Sequence, residues 1–209
     1  MFSCAVKICG VRTKKEVKIL NLLKPNFIGV LVNIPKTTLS VNEETAAKLV
    51  KTSKIKTIIL TFEKNPKKIV KLVKKIKPWG VQLLRPTKKI VAAIKKNTKA
   101  KAIPMVFMNE KDPLKEVKKY PSADLILLDS KKEGLFGGTG TTHNWILSKK
   151  IILTTKIPII LAGGLNPKNV KKAIQKTHPF AVDAESGLRN KYFFRDFKKV
   201  KKFIKISKN

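Results

Sequence analysis

Short runs of β-branched and aliphatic residues recur along the chain, separated by longer lysine-studded stretches whose apolar positions fall three and four apart. The runs are Ala5 to Cys9, Phe27 to Val32, Thr57 to Phe62, Trp79 to Leu83, Ala102 to Phe107, Leu125 to Asp129, Ile157 to Ala162 and Phe180 to Asp183. Their length and composition predict strands, and the spacing between them predicts helices. Ile69, Leu72, Val73 and Ile76 form one helical stripe; Val170, Ala173 and Ile174 begin another. Ser40 with Glu43 predicts a capping box ahead of Ala46, Leu49 and Val50. Pro66, Pro113 and Pro167 each fit a first helical turn, capped by Asn65, Asp112 and Asn166.

Eight strands, each followed by a helix or a helix-length gap, predict parallel pairing with helical crossovers. In a chain of 209 residues that alternation predicts an α/β fold, a (β/α)8 TIM barrel forming one domain over residues 1–209, near the lower size limit of that architecture. The competing open, doubly wound sheet calls for a glycine-rich fingerprint after the first strand. The turn found there, Cys9-Gly10-Val11-Arg12, has none. The longest glycine-rich segment, Gly134 to Gly140, directly follows the sixth strand and reads as a functional loop.

Composition narrows the partners. Hydrophobic residues make up 43% of the chain, enough for a full core. Two cysteines exclude a disulfide-stapled framework and a four-thiolate zinc site. Cys4 and Cys9 stand five positions apart and point to opposite faces of a strand, so no bridge between them is expected. Lys plus Arg is 47 against 13 Asp plus Glu, a net charge of +34. Such basicity suits polyanions, yet only Arg12, Arg85, Arg189 and Arg195 are arginines and aromatics are 7%. Nucleic-acid readers lean on arginine forks and stacked rings, so the lysines read as solvated helix faces and nucleic acid is not the expected partner. No apolar run approaches the ~20 residues that span a bilayer, and residues 1 to 10 carry no targeting segment. A cytoplasmic monomer with no membrane partner and no metal is expected.

Barrels of this type place their chemistry at the carboxyl ends of the strands. Those ends carry Cys9, Asn33, Glu63, Gln82, Asn109, Asp129, the Gly163-Gly164 pair, and Asp183 to Gly187. Cys9 and Asp129 should face each other across the mouth as a base–acid pair, and the surrounding positive charge should lower the thiol pKa. Each also has a structural reading, Cys9 as a small buried hydrophobe and Asp129 as a turn former. Gly163-Gly164 ahead of a helix and Ser186-Gly187 after the last strand suit an anion held on backbone N–H groups.

The motifs Lys7-Ile8-Cys9-Gly10, Val81-Gln82-Leu83, Leu127-Leu128-Asp129, Gly137-Gly138-Thr139-Gly140 with Trp145, Leu161 to Val170, and Phe180-Ala181-Val182-Asp183 with Ser186-Gly187 run in one order along the chain. Together they resemble phosphoribosylanthranilate isomerase. The resemblance implies a cofactor-free barrel that catalyses an Amadori rearrangement of a phosphosugar in tryptophan biosynthesis. It implies Asp129 as the general acid that opens the ribose ring and Cys9 as the base that takes the proton next to the imine. Gly163, Gly164, Ser186 and Gly187 would hold the phosphate, and Gln82 and Asp183 would contact substrate. The sequence departs from that pattern at four places. Leu84 and Arg85 stand where the family has a histidine and a small residue. Leu39 lies near the family's carboxylate-binding arginine. Glu185 replaces a serine beside the phosphate turn. Thr141, His143 and Asn144 precede Trp145 in place of the common residues. Lys36 or Arg85 is therefore the candidate cation for the anthranilate carboxylate. A relative acting on another phosphosugar, or one without activity, and a basic binding protein on the same barrel are the alternatives.

Overall fold

The computed structural model describes residues 4–130 and 143–208. The predicted Gly134–Gly140 loop and Thr141 fall outside the described residues. Nine strands are present among those described: β1 (Ala5–Ile8), β2 (Phe27–Val32), β3 (Ser40–Val41), β4 (Lys56–Thr61), β5 (Gly80–Leu84), β6 (Lys101–Phe107), β7 (Ile126–Asp129), β8 (Ile159–Leu161) and β9 (Ala181–Ala184). All pairings between them are parallel. They run β1-β9-β8-β7-β6-β5-β4-β2, and β1 also pairs with β2, which closes an eight-stranded barrel. β3 is the addition that the hydrophobic pattern does not predict: two residues that extend the sheet beside the end of β2, through Leu31↔Ser40 and Val32↔Val41.

Among the described residues eight α-helices connect or follow the strands: α1 (Lys14–Leu23), α2 (Glu43–Thr52), α3 (Pro66–Ile76), α4 (Lys88–Asn97), α5 (Pro113–Lys118), α6 (Trp145–Thr154), α7 (Val170–Thr177) and α8 (Phe197–Lys208). The predicted caps at Asn65 and Asp112 are present, each accepting from first-turn amides with proline at the start of the helix. Two predicted starts are corrected. Ser40 belongs to β3, where its hydroxyl accepts from the Ile34 amide, and Asn42 caps α2 by accepting from Thr45. Residues 167–169 form a turn, so α7 begins at Val170 behind Asn169. There the Asn169 side chain serves the loop, accepting from the Asn166 amide, which leaves it unable to cap.

Side chains alternate across each barrel strand, as period-two geometry requires. Val6, Ile8, Ile28, Val30, Val81, Leu83, Ile126 and Leu128 point out and pack under the helices, where they meet Ile69, Leu72, Val73 and Ile76 of α3. Phe27, Ile58, Ile103, Leu127, Ile160 and Ala181 point in and fill the barrel. The inward series of β1 is therefore Ala5, Lys7 and Cys9. A lysine thus sits in the barrel interior.

Candidate active site

The inward lysine is accounted for by register. β1 and β9 pair with Lys7 opposite Asp183, so two oppositely charged side chains meet inside the barrel. Lys7 Nζ donates to Asp183 Oδ2 at 2.8 Å, with the lysine 1% exposed. Cys9, two residues along the same face, also acts on the Lys7 charge. Burial disfavours the Lys7 charge, but Asp183 and Cys9 more than offset it and hold the ammonium above its ordinary range. Gly29 on the adjacent strand makes room: a Cβ there would stand 2.7 Å from Cys9 Sγ and 3.1 Å from Lys7 Nζ.

Cys9 does not show the lowered pKa expected from the sequence. Burial pushes its thiol up to about 11; Lys7 pulls the other way, while Asp183 and Glu185 add to the rise. The net positive charge of the chain lies on solvated helix faces, where water screens it, and desolvation in the barrel decides. Both cysteines are free thiols. Asp129, at the end of β7, moves in the same direction. Burial raises its carboxyl from 3.8 to about 7, helped by Asp183 and opposed by the Ser130 amide and Lys7. A carboxyl poised near neutrality is suited to giving a proton.

Cys9, Asp129, Gln82, Asp183, Lys36, Gly163, Gly164 and Ser186 line one cavity of about 550 Å³ at the carboxyl ends of the strands. Its two ends differ. On one side Gly163 and Gly164 both hold positive φ (86° and 63°), and among the described residues neither amide has an acceptor. A side chain at Gly163 would run into Ser130 and His143. His143 is partly buried, its pKa lowered to about 4 by desolvation, and its Nε2 pairs with Ser148 Oγ at 2.7 Å. Gly187 packs behind this end rather than lining it, because a Cβ there would meet the Leu165 carbonyl oxygen at 2.1 Å. On the other side Cys9, Leu31 and Ile34 form an apolar cluster with Leu39, Leu60 and Phe62 packed on it. Between the ends, Asp183 Oδ1 and Gln82 Oε1 are buried and, among the described residues, have no donor. The other ends of these two groups are engaged, by Lys7 and, for Gln82 Nε2, by Met105 Sδ at 3.0 Å.

A profile for N-(5'-phosphoribosyl)anthranilate isomerase matches residues 6–206. The chain belongs to that family. It is 31% identical to the isomerase of Methanosarcina acetivorans, with 95% of this chain and 91% of that one aligned. It is 32% identical to that of a Thermoanaerobacter species, with 95% of each aligned. The solved isomerase of Thermotoga maritima superposes with a TM-score of 0.86 at 26% identity, covering 98% of both chains.

Membership makes the departures from the family pattern informative. Glu185, the carboxylate ahead of the Ser186-Gly187 turn, is paired with Arg189, which also donates to the Phe193 carbonyl at 2.5 Å. The Glu185 charge is thus balanced within its own loop. Leu39 and Leu84 line the cavity as apolar wall. Arg85 does not line it: its guanidinium pairs with Glu110 and lies 5.7 Å over the Phe107 ring, with over half of its side chain in solvent. Three residues that the structure places at or beside the cavity and its Cys9 escape a reading of the sequence. Lys7 is one, although a lone lysine in an apolar strand two residues before Cys9 is a visible signal. The others are Arg195, which donates to the Cys9 carbonyl oxygen at 2.5 Å, and Arg12, which lines the cavity. Neither arginine carries a sequence signal of its own, because loop folding alone brings Arg12 to the cavity and Arg195 to the Cys9 backbone.

Proposed function

We propose that this chain isomerises N-(5'-phosphoribosyl)anthranilate to the aminodeoxyribulose phosphate, an internal redox exchange that needs no external oxidant. The observation that carries the reading is the two-ended cavity that Asp129 and Cys9 both line. A phosphate suits the glycine turns and an aryl ring suits the apolar cluster. The sugar hydroxyls are donors for the orphaned oxygens of Asp183 and Gln82.

In this proposal Asp129, protonated below about pH 7, gives its proton to the ring oxygen as the C1–O bond breaks, leaving an open-chain iminium. Cys9 as thiolate takes the proton from C2, and the electron pair forms the enol-amine, which tautomerises to the ketone. Lys7 stabilises that thiolate by charge and hydrogen bond, and Arg195 holds the backbone that carries it. All these groups come from one chain, which supports a site complete in a monomer. A solved Thermotoga maritima relative is described as dimeric, so oligomeric state is part of the same proposal, as is a cytoplasmic location. The test is turnover of phosphoribosylanthranilate by the purified protein, with Cys9→Ala expected to lower kcat by ~10²-fold or more while still binding inorganic phosphate. Absence of turnover by the parent overturns the reading.

A further inference from the structure

Three of the four arginines hold a carboxylate: Arg85 has Glu110, Arg189 has Glu185 and Arg195 has Glu16. Arg12 has none within 4.0 Å, among the described residues. Its side chain leaves the turn after β1 and lines the cavity, where Nη1 donates to the Thr38 carbonyl at 2.9 Å. Among the described residues its buried Nε has no acceptor. An unmatched buried donor on a charged group is costly, so a site that keeps one is poised for an anion.

From this we infer that Arg12 is the specificity residue that binds the carboxylate of the substrate's aryl ring, an inference that rests on the proposed function. Thr38 fixes the guanidinium by one corner and leaves the Nε edge, the side that takes a carboxylate through two parallel hydrogen bonds. Leu39, next to Thr38, belongs to the apolar cluster that suits the ring. A ring seated there brings an ortho carboxylate toward the rim on which Arg12 and Thr38 stand. Neither sequence-derived candidate offers this arrangement. Arg85 is spent on Glu110 away from the cavity, and Lys36 lines the mouth as an exposed side chain, which keeps its hydration and presents no planar fork. The ligand class is an aromatic amine bearing an ortho carboxylate, carried on a phosphosugar.

Calorimetry with two unreactive ligands tests this: a reduced aminosugar phosphate carrying a 2-carboxyphenyl group, and its phenyl counterpart. The parent should bind the carboxyphenyl ligand more tightly. Arg12→Gln should weaken that ligand about 10- to 100-fold, the scale of a charge-assisted pair, and the phenyl ligand less than about threefold. Arg12→Lys should recover part of the loss. In steady-state kinetics the change should fall on KM, with kcat little altered. Equal losses for both ligands would assign Arg12 to holding the Thr38 loop and overturn the proposal. So would a carboxylate-dependent loss that appears in Lys36→Ala and not in Arg12→Gln. Binding is read apart from turnover, so a parent that binds both ligands but does not isomerise overturns the proposed function while the Arg12 comparison still stands or falls by itself.

Discussion

Replacing Asp129 by asparagine should stabilise the fold at alkaline pH while removing its chemistry. Asparagine keeps the shape of the protonated carboxyl and can still accept from the Ser130 amide that now bonds Asp129. The parent carboxyl titrates near 7 in the folded chain against an ordinary 3.8. Between those values the folded chain holds a proton that the unfolded chain has released. Parental stability therefore falls as pH rises through that window and is level above it. About three pH units at ~1.4 kcal/mol each give ~4 kcal/mol. The variant has no such group, so its advantage over the parent should be near zero at pH 4 and grow to ~4 kcal/mol by pH 8. Urea unfolding of both proteins across pH 4 to 8.5 measures the difference, and titrations common to both cancel. Over the same series kcat should be at least ~10²-fold lower in the variant. Parallel stability curves would refute the argument, since they would mean that Asp129 ionises in the fold as easily as in water.

The raised thiol gives a second measurable: alkylation of Cys9 by iodoacetamide in a Cys4→Ser background should accelerate about tenfold per pH unit toward about 11. Lys7→Met should slow it further at any given pH, and an unchanged rate would remove Lys7 from the thiolate's support. With the acid near 7 and the base near 11, the form with Asp129 protonated and Cys9 ionised is a small and constant share between those values. Log kcat/KM should therefore rise with unit slope to about pH 7 and stay flat above it; a fall just above pH 7 would mean that Cys9 ionises before Asp129. Finally, with a net charge of +34, melting temperature should rise as sodium chloride increases from about 10 mM to 0.15 M and the screening length shortens from ~30 to ~8 Å. A flat response would show that the lysines stand too far apart to repel.

The pattern of apolar runs was sufficient for the barrel because parallel strands buried on both faces must be β-branched and helices packed on one face must repeat at 3.6 residues. Cys9, Asp129 and the glycine turns were legible for a related reason: strand ends are known once strands are, and this fold works at that end. β3 was illegible because two residues make no pattern, and Ser40 and Asn166 misled because a cap residue is fixed by which amide lies above it. What only the tertiary structure decided is who meets whom. The register of β1 on β9 sets Lys7 against Asp183, and burial in the barrel raises the Cys9 thiol that surface charge alone was expected to lower. The loop after β9 returns Arg189 to Glu185 and Arg195 to Glu16. Four arginines look alike in sequence, and their pairing in space leaves Arg12, among the described residues, as the one without a carboxylate.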